Sequence, residues 1–251
     1  MKKILFFPIF TLLLISCEKE VLKDKTDYEF EKSDSSLVAY FTFNESLDDQ
    51  SMYNINSEAL NVELTMDFYG NENSAAYFNG NSYIEILSEN IINYTNKNFT
   101  VCAWIKPKVN EYAYVITKTA NKYENGNLPH GGGPYSLDYY PGTLRSIVRV
   151  ENYEDENMIE IFGKTYISPN TWQHISLTWN EGKASLFYNG KLENYGQHNI
   201  NQILQTNGNT YIGAYKWAFP NASYKGSIDN VRIYNRALSS IEIVKLFDEH
   251  K

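Results

Sequence analysis

The chain has 251 residues, a formal net charge of -8 and a hydrophobic fraction of 43%. This apolar content argues against global disorder and is enough for the core of one large all-β domain. Lys and Arg are interspersed among acidic residues, so the chain has no basic stripe and a nucleic-acid partner is not expected.

The first predicted element is a signal peptide over residues 1–16. Lys2 and Lys3 precede an apolar run from Ile4 to Ile15, which is too short to cross a bilayer as a helix. Leu14-Ile15-Ser16-Cys17 resembles the bacterial lipobox, in which the signal peptidase cuts before a cysteine that carries lipid. We therefore predict lipidation at Cys17, with an ordinary secretory signal as the alternative. The expected location is the outer membrane or cell envelope, facing either the periplasm or the outside.

Residues 17–36 are rich in Lys, Glu, Asp and Ser and predict a flexible tether. If Cys17 carries lipid, Cys102 has no partner for an intramolecular disulfide. Cys102 lies in a strand-like run, Phe99 to Ile105, and is predicted to be a small buried hydrophobe.

From residue 37 to residue 251, short alternating runs separated by turn signals predict one all-β sandwich. The predicted strands are Val38–Phe43, Tyr83–Leu87, Thr100–Ile105, Tyr114–Thr117, Leu144–Val150, Met158–Phe162, His174–Trp179, Ala184–Tyr188, Thr210–Gly213 and Gly226–Tyr234. Asn189-Gly190 predicts a type I′ hairpin turn. Ser239 and Glu242 have the spacing of a capping box, which predicts a short C-terminal helix.

A series of sequence blocks carries a family resemblance. The blocks are Leu37–Asp49, Ala75–Gly80, Ser82–Ile86, Phe99–Pro107, Trp172–Trp179, Leu186–Leu192, Tyr211–Gly213 and Lys225–Leu238. Together they resemble LamG-like jelly-roll domains of the concanavalin A-like type, over residues 37–249. The resemblance implies a two-sheet antiparallel jelly-roll sandwich, and members commonly recognise carbohydrates or proteins. A fold alone does not determine function.

A calcium site is expected near the opening loop. Alternation places Asp229 on the same face as Val231 and Ile233, where its carboxylate needs hydrogen-bond donors or a cation to offset desolvation. The resemblance implies that this Asp lies near the opening loop, where some members hold calcium with an acidic residue matching Asp49. Calcium prefers several oxygen ligands. The candidate ligands are Asp49, Ser51, Asn54, Asn56 and Asp229. The alternative is that Asp229 accepts backbone hydrogen bonds without a metal.

Two loops carry candidate ligand-binding residues. The stretch from Thr119 to Gly133 is long and irregular, and long loops on a sandwich are often binding loops. Aromatic faces and amide or hydroxyl groups are the residue types that bind sugars, and a second aromatic loop precedes the last strand. The predicted carbohydrate platform is Tyr123, His130, Tyr135, Trp217 and Phe219. A self-packed insertion is the alternative.

No catalytic residue is predicted. Related glucanases carry Glu-x-Asp-x-Glu on one strand, whereas Glu154-Asp155-Glu156 is contiguous and would send its members to opposite faces. The prediction is therefore a non-catalytic cell-envelope lipoprotein that binds a glycan or polysaccharide, with calcium as the one expected cofactor. The alternatives are a protein-protein adhesion or assembly module and a glycoside hydrolase of the same superfamily.

Overall fold

The computed structural model describes residues 34–87, 98–120, 133–151 and 154–249. These residues form two antiparallel β-sheets and one α-helix near the end of the chain, which confirms the predicted jelly-roll sandwich. The signal peptide, Cys17 and the tether up to residue 33 lie outside the described residues, so those predictions stay predictions. In the described part of the chain, no helix has the length and apolar content needed to cross a membrane.

The strands are numbered in chain order. They are β1 (Leu37–Phe41), β2 (Ser57–Leu60), β3 (Glu63–Thr65), β4 (Ala75–Asn79), β5 (Tyr83–Ile86), β6 (Asn98–Pro107), β7 (Ala113–Lys118), β8 (Tyr135–Tyr140), β9 (Thr143–Arg149), β10 (Met158–Tyr166), β11 (Gln173–Asn180), β12 (Lys183–Tyr188), β13 (Lys191–Gln197), β14 (Thr210–Ile212) and β15 (Lys225–Tyr234). Among the described residues, helix α1 is Ser240–Asp248, and two short 3-10 helices cover Asp155–Asn157 and Lys216–Ala218.

The described strands divide into two sheets. Sheet A has the order β13-β12-β11-β6-β15-β4-β3, and β1 also pairs with β15. Sheet B has the order β10-β9-β8-β7-β14-β5-β2. Consecutive strands pair in β11–β13 and β7–β10, whereas β15 with β6 and β4, and β14 with β7 and β5, join distant parts of the chain.

The core lies between the sheets and follows from the alternation of each strand. In β6, Phe99, Val101, Ala103 and Ile105 are fully buried in this inter-sheet core. The alternate residue Cys102 is buried on the opposite face of sheet A, in a second apolar cluster. Because both of its faces are covered, β6 is apolar along almost its whole length.

Helix α1 covers the outer face of sheet A. Ser239 caps the helix in the predicted capping box, with its side chain accepting from the backbone N–H of Glu242. Ile243 and Leu246 are buried in the second apolar cluster, and Phe247 stacks on Trp104 with ring centroids 5.6 Å apart. Asn189 and Gly190 both have positive φ and join β12 to β13, as the type I′ turn requires.

A β-bulge in β15 changes which face Asp229 occupies. The register of β15 against β6 shifts between Asp229 and Arg232, and Asn230 has a φ of 48°. Ile228 and Val231 both face the inter-sheet core, so Asp229 lies on the outer face, opposite Trp104. The prediction that Asp229 shares a face with Val231 is therefore wrong, because the bulge inserts a residue that simple alternation does not include.

Gly213 is a position where a side chain would disrupt the core. Its φ is +82°, and a Cβ there would clash with Cδ1 of the buried Phe78 ring. We expect Gly213→Ala to lower the free energy of unfolding by about 2–4 kcal/mol, as measured by denaturant titration.

Gly70→Ala is the matched control, because Gly70 has a φ of +86° and no atom within 4 Å of the added Cβ. It isolates the backbone cost, about 1 kcal/mol. Equal destabilisation by the two substitutions would contradict the steric argument.

Candidate functional site

The outer face of sheet B carries a concentration of charged and aromatic side chains. On β5, Ile84 and Ile86 face the core, so the intervening Glu85 lies on the outer face. The same alternation brings Tyr211 of β14, and Asp138 of β8, to this face. These outward residues form two groups.

The first group lies on β5 and β14, at the residue before β14 and in the loop that follows β14. We call it the Glu85 cluster, and its members are Tyr83, Glu85, Asn209, Tyr211, Lys216, Trp217 and Phe219.

Three groups converge on one oxygen of the Glu85 carboxylate. Asn209 donates to Oε1 from Nδ2 at 2.6 Å, Tyr211 donates from its hydroxyl, and Lys216 Nζ lies 3.6 Å away. Burial alone would raise the pKa of Glu85, but these hydrogen bonds and the nearby ammonium together lower it, so the carboxylate stays charged. Among the described residues, all these contacts go to Oε1, which leaves Oε2 to accept from a ligand.

Aromatic rings stand beside this carboxylate. Tyr83 makes edge-to-face contacts with Tyr211 at 5.5 Å and with Phe219 at 5.2 Å between ring centroids. Lys216 Nζ lies 5.7 Å from the ring of Trp217, and Trp217 and Phe219 are both half-buried. The fold thus places Trp217 and Phe219, two residues of the predicted carbohydrate platform, near the charged carboxylate of Glu85.

The second group lies on β8, β9 and β10 and at the residue before β7. We call it the Arg145 cluster, and its members are Tyr112, Asp138, Tyr140, Arg145, Glu160 and Phe162. Arg145 donates to Asp138 Oδ1 from Nε at 2.6 Å and to Oδ2 from Nη2 at 3.2 Å. Burial would lower the pKa of Arg145, but the bonds to Asp138 raise it, so the guanidinium stays charged.

The loop between β14 and β15 separates the two clusters. Its Tyr215 contacts Tyr114 with ring centroids 5.3 Å apart, and Tyr114 donates from its backbone N–H to Ala222 at 3.0 Å. The rings of Tyr114 and Tyr215 are both buried. These two packed rings therefore lie between the clusters.

Of the other predicted platform residues, the described part of the chain includes Tyr135, which does not join this site. Tyr135 is buried in the inter-sheet core and stacks on Phe99 at 4.6 Å, so including it in a surface platform was wrong. Tyr123 and His130 lie outside the described residues.

The predicted calcium ligands are placed as follows. Asp49 is buried, and its Oδ1 accepts from the backbone N–H groups of Tyr40 at 2.7 Å and Ser51 at 3.0 Å. Its Oδ2 accepts from the Ser51 hydroxyl at 2.6 Å and from the N–H of Ile55 at 2.8 Å. Donors rather than oxygen ligands face both carboxylate oxygens. This arrangement fits a hydrogen-bonded loop better than a calcium site.

The remaining candidates add no further carboxylate to that loop. Asn54 donates from its backbone N–H to the carbonyl of Ser51 at 3.3 Å, and Asn56 accepts at its carbonyl from Leu87 at 3.0 Å. Asp229 accepts from the N–H of Asn230 at 2.7 Å. Within the described ranges, no group of three His, Cys, Asp or Glu residues is arranged to hold a metal ion. Calcium binding stays a prediction.

Comparison with known proteins then identifies the family. A family model described as the concanavalin A-like lectin/glucanases superfamily matches residues 78–244. The chain belongs to this superfamily. A curated relative, Paraclostridial mosquitocidal protein 1 of Paraclostridium bifermentans, is 25% identical over 183 residues, which is 68% of this chain and 14% of that protein. The chain therefore spans only a small part of that relative.

Solved structures share the superfamily fold. The binding domain of the mosquitocidal protein has a TM-score of 0.65 and 22% identity, covering 86% of this chain and 52% of that chain. The binding domain of botulinum neurotoxin serotype G has a TM-score of 0.65 and 17% identity, covering 85% and 51%. Domain 4 of a GH43 arabinanase from Geobacillus stearothermophilus, in complex with arabinotriose, has a TM-score of 0.59 and 19% identity, covering 84% and 98%.

The calcium prediction is tested by thermal unfolding. Because Asp49 is already satisfied by hydrogen-bond donors, we expect the Tm to be the same in excess EDTA and in millimolar calcium. A calcium-dependent rise in Tm that Asp49→Asn removes would instead support the metal site.

The burial of Asp229 predicts that the free energy of unfolding depends on pH. Burial raises the pKa of Asp229 to about 7, which the hydrogen bond from Asn230 only partly opposes. The folded protein then holds this proton more tightly than the unfolded chain. Its contribution to the free energy of unfolding is present below about pH 4 and is lost as the pH rises towards 7.

Between pH 4 and pH 8, the Asp229 carboxyl should lower the free energy of unfolding by about 4 kcal/mol. In denaturant titrations, Asp229→Asn should remove that decline. The control is Asp48→Asn, at an exposed carboxylate on the opening loop. The argument fails if the two variants follow the same pH profile.

Proposed function

We propose that this chain is a non-catalytic carbohydrate-binding module and that the Glu85 cluster is its binding site. The observation that carries the proposal is the Glu85 carboxylate, held charged by donors on one oxygen and flanked by aromatic rings. A binding role also fits the matched proteins, two of which are named as binding domains.

The cluster offers the two kinds of contact that a sugar needs. Glu85 Oε2 accepts hydrogen bonds from sugar hydroxyls, and Lys216 donates to sugar oxygens. Tyr83 and Phe219 offer apolar ring surface to the C–H faces of the sugar. Because Tyr211 and Asn209 fix the carboxylate before a ligand arrives, binding costs little ordering of this group.

The arabinanase domain supports a sugar ligand in particular. That domain has the same fold and was solved in complex with arabinotriose, and this chain matches nearly its whole length. Carbohydrate binding by this chain is an inference from the Glu85 cluster together with that likeness.

The clusters argue against catalysis. Glycoside hydrolysis requires one carboxyl that donates a proton and a second that acts as nucleophile or base. Asp138 is fully buried, and both of its oxygens are bound by Arg145. Glu85 is held ionised, so a hydrolase would need Glu58, an exposed residue directly opposite it in the β2–β5 pair, as its proton donor.

We propose in addition that a lipid on Cys17 holds the module at the cell envelope. The support is the apolar run ending in Leu14-Ile15-Ser16-Cys17. Mass spectrometry of the purified protein should show an N-terminal lipidated cysteine, and an unmodified N-terminus elsewhere would contradict this part of the proposal.

The binding proposal is tested by affinity electrophoresis and calorimetry on a polysaccharide panel that includes arabinan. We expect retention by at least one glycan class, and Glu85→Gln should weaken that binding about 10- to 100-fold, since a charged hydrogen-bond acceptor is lost. Tyr83→Ala should weaken it as well, through the lost ring contact.

Tyr195→Ala is the control, because Tyr195 is an exposed tyrosine on the edge strand of sheet A. Unchanged glycan affinity in Glu85→Gln would remove the proposed site. Retention on no glycan would favour the protein-partner alternative, and release of reducing sugar that Glu85→Gln abolishes would favour the hydrolase.

A further inference from the structure

The Arg145 cluster presents two aromatic rings to solvent at a right angle. Tyr140 is 52% exposed and Phe162 is 41% exposed, with ring centroids 6.5 Å apart and an interplanar angle of 87°. Tyr112 extends the aromatic surface, with its ring centroid 5.7 Å from that of Tyr140. Both Asp138 and Phe162 pair directly with Arg145 in the sheet, so the rings surround a charged centre.

That centre has more negative than positive charge. Asp138 neutralises Arg145 through two hydrogen bonds, and Glu160 Oε1 lies 3.2 Å from Nη1 as a second carboxylate. One guanidinium against two carboxylates leaves a formal charge of -1. Asp138 is fully buried, whereas the Glu160 side chain is about one-third exposed, so the excess charge faces solvent.

All three nitrogens of the Arg145 guanidinium already hydrogen-bond to other residues of the protein. Its Nε bonds Asp138, its Nη1 bonds Glu160, and its Nη2 bonds Asp138 and the hydroxyl of Tyr112. It therefore offers little to an anionic ligand, which Glu160 would also repel. The groups left for a ligand are the exposed ring faces and the Glu160 carboxylate.

We infer that the Arg145 cluster binds a quaternary ammonium group, with the cation against Tyr140 and Phe162 and beside Glu160. Aromatic faces attract cations through the ring quadrupole, and a carboxylate adds charge complementarity. A methylated ammonium fits better than a primary amine, because a primary ammonium is compact and strongly hydrated. Strand β7 and the packed rings of Tyr114 and Tyr215 lie between this site and the Glu85 cluster, so the two sites occupy different parts of the face.

The test compares choline with 3,3-dimethyl-1-butanol, which has the same shape and no charge, by NMR titration of the full chain. We expect choline to bind and the neutral analogue to bind at least about fivefold more weakly. Phe162→Ala and Glu160→Gln should each weaken choline binding about fivefold or more, whereas Glu85→Gln and Tyr195→Ala should leave it unchanged.

Three results would overturn the inference: no binding of choline, equal binding of the neutral analogue, or unchanged binding in both Phe162→Ala and Glu160→Gln. Loss of glycan binding in Glu85→Gln with choline binding retained would show that the two sites are separate. If no glycan binds, the choline titration therefore still tests this inference separately.

The source of the ammonium group is distinguished by sedimentation with vesicles. Binding to phosphatidylcholine vesicles but not to phosphatidylglycerol vesicles, reduced in Phe162→Ala, indicates a lipid headgroup. Binding to free choline without binding to the vesicles indicates a soluble ligand, and either outcome supports the site. Phe162→Ala has the same N-terminal residues as the unchanged chain, so the difference between them reports the cluster and not an N-terminal anchor.

Discussion

Strand β15 determines the arrangement of sheet A, because three strands from distant parts of the chain pair with it. Strand β6 lies along one edge of β15, while β4 and β1 share the other: β4 pairs with Lys225–Ile228 and β1 with residues 231–234. The bulge at Asn230 lies at the junction of these two partners, and the Asn230 side chain accepts from the hydroxyl of Tyr40 on β1. A regular strand would present a single uninterrupted edge. The bulge accommodates the change of partner and turns Asp229 to the outer face.

The parts of the fold that were predictable from sequence depend on local signals. Alternation indicates a strand such as β11, Asn189-Gly190 specifies a hairpin turn, and Ser239 with Glu242 specifies the helix start. Each of these effects acts within a few residues. The Glu85 cluster depends on hydrogen bonds between residues 124 and 126 positions apart, and no motif links them in the sequence. Trp217 and Phe219 were identifiable by residue type alone. Tyr135 was misassigned because an aromatic at the start of a strand has the same composition signal whether its ring faces the core or solvent.

The two outer faces of the sandwich differ in what covers them. Sheet A buries Trp104 and Cys102 beneath helix α1, so its outer face is largely a second apolar core. The outer face of sheet B instead carries charges such as Asp138 and Arg145, and burying a charge is costly unless it is paired and hydrogen-bonded. The pairing of Asp138 with Arg145 meets that condition below the surface. Sheet B can therefore keep polar groups and exposed rings on one face, which is the composition expected of a recognition surface.

The loop between β14 and β15 links this face to the sandwich and also divides it. Its ends are held by backbone hydrogen bonds, from Gly213 to Val115 and from Tyr224 to Gly213, each at 2.8 Å. Its middle presents Lys216 to the Glu85 cluster, while the ring of Tyr215 packs on Tyr114 between the clusters. Because the fold fixes both ends, the loop side chains do not need to be ordered by a ligand, and the entropy cost of binding is reduced. The same anchoring holds the rings of Tyr215 and Tyr114 between the two clusters, which keeps the two binding surfaces apart.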